Sequence, residues 1–239
     1  MIIEKYRIAD KVIEIHSIHQ YVHDYCRDYR TEEEGCDFIV ETDQACIEYE
    51  REKSLEEIPD YRPTDPHLEI LAVYRQIAEK MPFYDTFLFH GSCIAMDGEG
   101  YLFTAPSGTG KSTHTRLWRE VFKERVFMVN DDKPLIKATE EGVVVYGTPW
   151  NGKHRLGTNT CVPLKGLCIL TRDTVNHIEP VSVSEALPDL FRQMYRPADR
   201  AAMVCSLNLL DRLLKHVRLY RLGCNMDPEA AIVAAGGMR

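Results

Sequence analysis

The chain reads as an α/β protein: a mixed sheet with flanking helices over residues 86–239, joined to a small α+β module over residues 1–85. Three observations lead there. Strand-like alternation and helical periodicity succeed one another along the whole length. The composition, 44% hydrophobic and 28% charged, is that of an ordinary globular chain. Near the middle, the apolar run Tyr101–Ala105 enters a glycine loop and then the helical pattern Lys111–Phe122. A length of 239 residues suits one large domain or one domain with a smaller module, and it can bury a core without disulfide staples.

In the first module, Ile2–Ile8 and Val12–Ile15 alternate well enough for two strands, and His19–Tyr29 suits a short helix. Phe38–Glu41 is a further strand, followed by a helical stretch over Asp43–Lys53. Three prolines mark Ile58–Pro66 as a linker, and Leu68, Leu71, Ala72, Tyr74 and Ile77 give His67–Lys80 a helical stripe. Beyond it, Phe87–Met96 reads as one strand, and Asp97–Gly100 as a turn before the strand that feeds the glycine loop. Val126–Val129 is a strand ending in Asn130-Asp131-Asp132. Leu135–Ala138 and Val143–Tyr146 flank Glu141-Gly142 as a hairpin. Leu164–Leu170 is a strand, Ser184–Tyr195 and Ala198–Lys215 are helices, and Val217–Leu222 is a last strand. Tyr195-Arg196-Pro197 is a helix stop, and Gly236-Gly237 suggests a frayed tail.

Charge and cysteine usage narrow the classes of function. With 29 basic and 37 acidic residues the net charge is −8, so neither nucleic acid nor an anionic membrane is an expected partner. No apolar run approaches the ~18 residues of a membrane span. Glu4, Lys5, Asp10, Lys11 and Glu14 interrupt the opening segment, unlike an export signal. Eight scattered cysteines without a C-x-x-C pair read as thiols in a reducing compartment, so a cytoplasmic protein is expected.

The strongest motif is Ala105-Pro106-Ser107-Gly108-Thr109-Gly110-Lys111-Ser112-Thr113. It matches the phosphate-loop pattern at Gly110, Lys111 and Ser112 and departs from it at Ala105, where glycine is usual. Gly108 and Gly110 would let the backbone curl N–H groups toward phosphate oxygens, and the helix opening at Lys111 would add its positive end. Lys111 would reach the β- and γ-phosphates, and the Ser112 hydroxyl would ligate Mg²⁺. The plainer alternative is a glycine turn ahead of an ordinary helix.

A nucleoside triphosphate site also needs a carboxylate for the metal, usually at the end of a neighbouring strand. Asp131 and Asp132 follow Lys111 by 20 and 21 residues. Two carboxylates allow a division of labour, one on the metal and one taking the proton of an attacking hydroxyl; their mutual repulsion raises one pKa. The alternative is a solvated pair before the turn Lys133-Pro134. His90, 21 residues before Lys111, would sit beside the loop if its strand pairs with the next one, and could hydrogen-bond Asp131; equally, it could be a strand histidine satisfied by backbone. Gly147–Arg155 places Lys153, His154 and Arg155 in a turn-rich segment that would either neutralise transferred charge or be a solvated basic loop. Arg192 and Arg196 fit a helix end better than a catalytic role. His19, His23 and Cys26 share a helix face, which reads as a surface helix rather than a zinc site.

Together, His90-Gly91, Asp97–Gly100, Ser107–Ser112 and Asp131-Asp132 resemble the HPr kinase/phosphorylase family, whose fold is related to phosphoenolpyruvate carboxykinase. The resemblance is good over about residues 86–135 and looser beyond. It implies a P-loop kinase domain of that type, with His90 as the active-site histidine, Lys111 as the loop lysine and Ser112 as a Mg²⁺ ligand. Asp131 would be the base, and Asp132 would assist the metal. The family's downstream glutamate-arginine-glycine signature is missing, and Gly147–Arg155 stands in its region, as in divergent bacterial relatives. The expected activity is Mg²⁺- and ATP-dependent phosphoryl transfer to a hydroxyl on a protein, a peptide or a small molecule. A nucleotide-binding switch, a carboxykinase-like enzyme and a scaffold with a relic loop are the alternatives. Ser107, Gly108, Thr109, Gly110, Lys111, Ser112 and Thr113 would bind the nucleotide, and relatives suggest a homo-oligomer.

Overall fold

The computed structural model describes residues 1–238, residue 57 as backbone only. The chain forms two compact units, Met1–Lys80 and Met81–Arg239. The turn Met81–Tyr84, with Met81 and Pro82 buried, packs within the second.

The first unit is a three-stranded sheet with three helices. Strands β1 (Ile2–Ile8) and β2 (Lys11–Ser17) pair antiparallel, and β3 (Phe38–Glu41) lies parallel to β2. The β1–β2 connection is the two-residue turn Ala9-Asp10, both at positive φ (49° and 64°), which suits the twist of a tight hairpin. Alternation buries Tyr6 and Ile8 and leaves Arg7 outside. Helix α1 (Gln20–Tyr25) precedes β3; α2 (Gln44–Glu57) is N-capped by the Asp43 carboxylate; α3 (Asp65–Lys80) buries Leu68, Ala72, Val73 and Ile77. The expected surface helix at His19–Tyr29 is corrected. Helix α1 is only six residues long and turns Val22 and His23 inward. The His23 ring meets Tyr6 Oη and Ser17 Oγ, both at 2.8 Å, so both nitrogens are consumed by the fold.

The second unit is a nine-stranded mixed sheet covered on both faces. Its strands are β4 (Thr86–Leu88), β5 (Ser92–Met96), β6 (Glu99–Thr104), β7 (Val126–Asn130), β8 (Leu135–Ala138), β9 (Val143–Tyr146), β10 (Cys161–Arg172), β11 (His177–Pro180) and β12 (Arg218–Cys224). The main order is β4-β8-β9-β10-β6-β5-β7, with β12 also on β10 and β11 outside β12. The long strand β10 is the joint. Its first residues pair antiparallel with β9, and the rest runs parallel between β6 and β12. Helices α5 (Val183–Gln193) and α6 (Arg200–His216) cover one face, and α4 (Lys111–Phe122) and α7 (Glu229–Gly237) the other. Alternation sorts β10 accordingly: Leu167 and Ile169 join the Leu190–Leu213 side, Cys168 and Leu170 the Trp118–Ala234 side.

Two expectations are corrected in this unit. Phe87–Met96 is two strands, because β4 pairs with β8 whereas β5 lies between β6 and β7; the chain must break at Phe89-His90-Gly91 to change partners. His90 therefore sits in a crossing, not in a strand. Gly236-Gly237 ends α7 rather than a frayed tail. The alanines Ala230, Ala231, Ala234 and Ala235 let that helix lie close on the sheet, and a Cβ on Gly237 would stand 2.3 Å from Ile178 Cγ2. Strand β11 and helix α7 are elements that the periodicity did not reveal. Among the described residues, no helix is long and apolar enough to cross a membrane, and all eight cysteines stand outside disulfides.

Candidate active site

Strand β6 ends at Thr104 and helix α4 begins at Lys111, so residues 105–110 form the connecting loop. Gly108 and Gly110 adopt φ of 77° and 130°, a region that side-chain-bearing residues rarely enter. Ala105 is not among the positive-φ residues, so the loop makes no demand for glycine there. Ser107, Gly108 and Ser112 are exposed, whereas Lys111 is nearly buried and donates from Nζ to the Ala105 carbonyl at 2.9 Å. Burial lowers the Lys111 pKa, and the charge of Asp132 works against that. Arg172, at the end of β10, donates to the carbonyls of Gly108 (2.5 Å) and Thr109 (3.3 Å).

The acidic pair follows β7 and is shaped by Asn130. The buried Asn130 amide accepts from the backbone N–H groups of Asp132 (2.9 Å) and Lys133 (2.6 Å) and donates to Thr148 Oγ1 (3.0 Å). That Asx turn sends the two carboxylates into different surroundings. Asp131 is 6% exposed and accepts from the Gly152 N–H at 2.7 Å. Burial pushes its pKa up; the Gly152 N–H opposes this and the neighbouring Asp132 charge adds to it. Asp132 lies 3.3 Å from His90 Nε2 and 3.6 Å from Lys133 Nζ. Burial would raise its pKa too, but His90, Lys133 and Lys111 together hold it below the ordinary range. The two adjacent carboxylates are thus shifted in opposite directions, one by burial and the other by neighbouring cations.

His90 is fixed from four sides. Its Nδ1 is 2.6 Å from Gln193 Oε1, and its backbone N–H donates to the Gln193 carbonyl at 2.8 Å. Its carbonyl accepts from Thr104 Oγ1 at 3.0 Å, directly before the glycine loop. The next N–H, of Gly91, donates to the Asp132 carbonyl at 3.0 Å. A Cβ on Gly91 would crowd the Phe103 carbonyl oxygen at 3.0 Å as well as Leu102 Cδ1 at 2.9 Å. The strand break is what delivers the imidazole to Asp132.

The structure therefore places His90 against Asp132 rather than Asp131, and brings Lys111 within electrostatic reach of Asp132. The Gly147–Arg155 segment meets the pair through the Gly152 backbone; Lys153, His154 and Arg155 are exposed beyond it. Arg192 pairs with Asp189 at 3.3 Å and Arg196 lies over the Phe191 ring, so α5 reaches the site through Gln193 instead. Asn130, Gln193, Gly152 and Arg172 were not singled out from the sequence. The run N-D-D-K-P carries an Asx-turn signal that could have flagged Asn130. Nothing local marks Gln193, which is 103 residues from His90.

No protein-family profile matches the chain, and no curated protein does. Among solved structures, a similar one is the HPr(Ser) kinase/phosphatase from Coxiella burnetii, at 9% identity and a TM-score of 0.32, covering 62% of this chain and 94% of that one. At that distance the likeness says nothing of what this chain does.

Proposed function

We propose that the second unit is a kinase that transfers the γ-phosphoryl of ATP to a hydroxyl on a protein, a peptide or a small molecule. The observation that supports it is the placement of Lys111 within electrostatic reach of Asp132, next to an Asp131 whose pKa shifts in the opposite direction. Backbone N–H groups of Ser107–Ser112 and the start of α4 would hold the β-phosphate, with Thr109 and Thr113 flanking it. On this reading Lys111 leaves the Ala105 carbonyl and binds across the β- and γ-phosphates. Asp131, with its raised pKa, accepts the proton of the acceptor hydroxyl as that oxygen bonds to the γ-phosphorus and the bond to the β–γ bridging oxygen breaks. Asp132 stays ionised, and His90 orients it.

The donors present suit Mg²⁺: the exposed Ser112 hydroxyl and the ionised Asp132 carboxylate are hard oxygens, and this ion ordinarily takes few protein ligands beside phosphates and water. Bound there, it would neutralise charge on the β- and γ-oxygens.

The test is γ-labelled ATP with Mg²⁺ in a cell lysate, comparing the natural chain with Asp131→Asn and following label into macromolecules and small molecules separately. Label that depends on the natural chain and is lost in Asp131→Asn, with ATP binding nearly intact, is the expected result. Full transfer by Asp131→Asn would overturn the base assignment. ATP binding without any transfer would favour a nucleotide-dependent switch.

A further inference from the structure

The two carboxylates of the candidate site face different neighbours. Asp132 lies among cations, with His90 Nε2 at 3.3 Å and Lys133 Nζ at 3.6 Å, and its charge acts on Lys111. Asp131 faces the loop that joins β9 to β10, and the loop approaches it closely. The Gly152 N–H donates to Asp131 Oδ1 at 2.7 Å, and a Cβ on Gly152 would stand 3.2 Å from Oδ2. Burial raises the Asp131 pKa, and the backbone N–H groups of Gly152 and Leu156 are among those that oppose it. The carboxylate is therefore held from both ends of the segment 152–156. Between those ends the Arg155 N–H donates to the Gly152 carbonyl at 2.9 Å and closes a tight turn.

The tip of that turn is Lys153-His154-Arg155, and all three residues are exposed. Two features set it apart from an ordinary solvated turn. The loop over residues 147–160 contains no Asp or Glu, so it is positive in itself, although the whole chain carries a net charge of −8. Arg155 takes a φ of 48°, a left-handed conformation that glycine or asparagine adopts more readily. A turn that needed only its backbone shape would be better served by either. On the kinase reading the acceptor hydroxyl loses its proton to Asp131, so a group bound at this tip belongs to the acceptor. The transferred phosphoryl would lie on the other side, with Lys111 and Asp132. Exposed on a loop tip, the side chains suit an extended segment of polypeptide better than a small molecule, which is ordinarily enclosed on most sides.

We propose that the 152–156 turn docks the acceptor, and that the acceptor is a hydroxyl-bearing residue in an acidic stretch of polypeptide whose carboxylates meet Lys153 and Arg155. The inference rests on the kinase reading for the role of Asp131; the charge complementarity belongs to the loop itself.

The test uses the full chain and a pair of fluorescent peptides, a serine flanked on both sides by glutamates and its counterpart with glutamines. Binding is read by anisotropy, and transfer with γ-labelled ATP and Mg²⁺. The glutamate peptide should bind about tenfold or more tightly than the glutamine one, and salt should close the gap. Lys153→Gln with Arg155→Asn removes both charges and keeps a residue that tolerates the left-handed turn. This double variant should erase the gap, whereas Lys215→Gln at the exposed end of α6 should keep it. Lys153→Gln alone should narrow the gap, and it decides the matter should the double variant not fold. In transfer, the double variant should raise KM for the glutamate peptide about tenfold and leave kcat within about twofold. Equal binding of the two peptides overturns the proposal, as does a gap that survives in the folded double variant or falls as far in Lys215→Gln. An equal fall in kcat for both peptides also overturns it, because the cations would then act on the transferred phosphoryl. Should lysate protein take label while neither peptide does, mapped sites without acidic neighbours overturn it and sites with them support it. Label in no peptide and in no lysate fraction would instead overturn the kinase reading, and the acceptor role of the turn with it.

Discussion

Both units bury histidine and carboxylate side chains, yet they use them differently. In the first unit the fully buried Glu69 accepts from the backbone N–H groups of Ile18 (2.6 Å) and His19 (2.9 Å) and from Thr42 Oγ1 (2.7 Å). His23 has partners on both ring nitrogens. These groups tie the loop after β2 to α3 and the hairpin to α1. In the second unit Lys111 binds only a loop carbonyl, Asp132 keeps a third of its side chain exposed, and His114 Nδ1 has no partner. Buried polar groups that satisfy one another are architecture; those left with spare capacity beside a glycine loop are candidates for chemistry.

The comparison breaks most sharply at Lys111. Lys111→Ala should lower kcat/KM for phosphoryl transfer by about 10²–10³-fold or more and weaken ATP binding, read by steady-state kinetics and titration. Unchanged turnover would make the second unit's polar cluster structural like the first's. Glu69→Ala in the first unit should instead act on stability. It strands several donors, so the unfolding free energy should fall by about 3 kcal/mol in urea titrations.

A comparable effect appears as a pH dependence, since burial lowers the pKa of His114 in the second unit as it does that of His23 in the first. Burial depresses the His114 pKa from 6.5 to about 4. The unfolded chain therefore takes up a proton that the folded chain refuses. Stability from this group is complete above pH 6.5 and is lost as pH falls toward 4, by up to about 3 kcal/mol. His114→Gln keeps an acceptor for Trp118 and cannot titrate, so its urea midpoint should fall less steeply across that window. An equal slope would remove His114 from the acid response. The smallest effect is on α5. Gln193→Leu should reduce kcat by about tenfold by freeing His90, with KM for ATP little changed, whereas Arg192→Ala, an exposed pair with Asp189, should stay within about twofold.

Much of this was legible in the chain itself. The β1–β2 hairpin, α3, the β6–loop–α4 unit and the β8–β9 hairpin arise from local alternation, turn residues and helical spacing, signals confined to a few neighbouring residues. The loop's glycines and the Asp131-Asp132 pair were visible for the same reason, since each is contiguous. Helix α7 was not, because a run of alanines and valine has no polar face to give it a period, and the short edge strand β11 has too few residues to show one.

By itself, then, the sequence determined the elements and the residue types available for chemistry, because propensity and patterning act over a turn or two of chain. Tertiary structure alone decided which of those residues meet. Sheet pairing splits Phe87–Met96 and brings His90 to Asp132 and Gln193. Gly152, from a loop 21 residues beyond Asp131, reaches that carboxylate. The same folding gives adjacent aspartates opposite pKa shifts, since desolvation and neighbouring charge depend on distances through space.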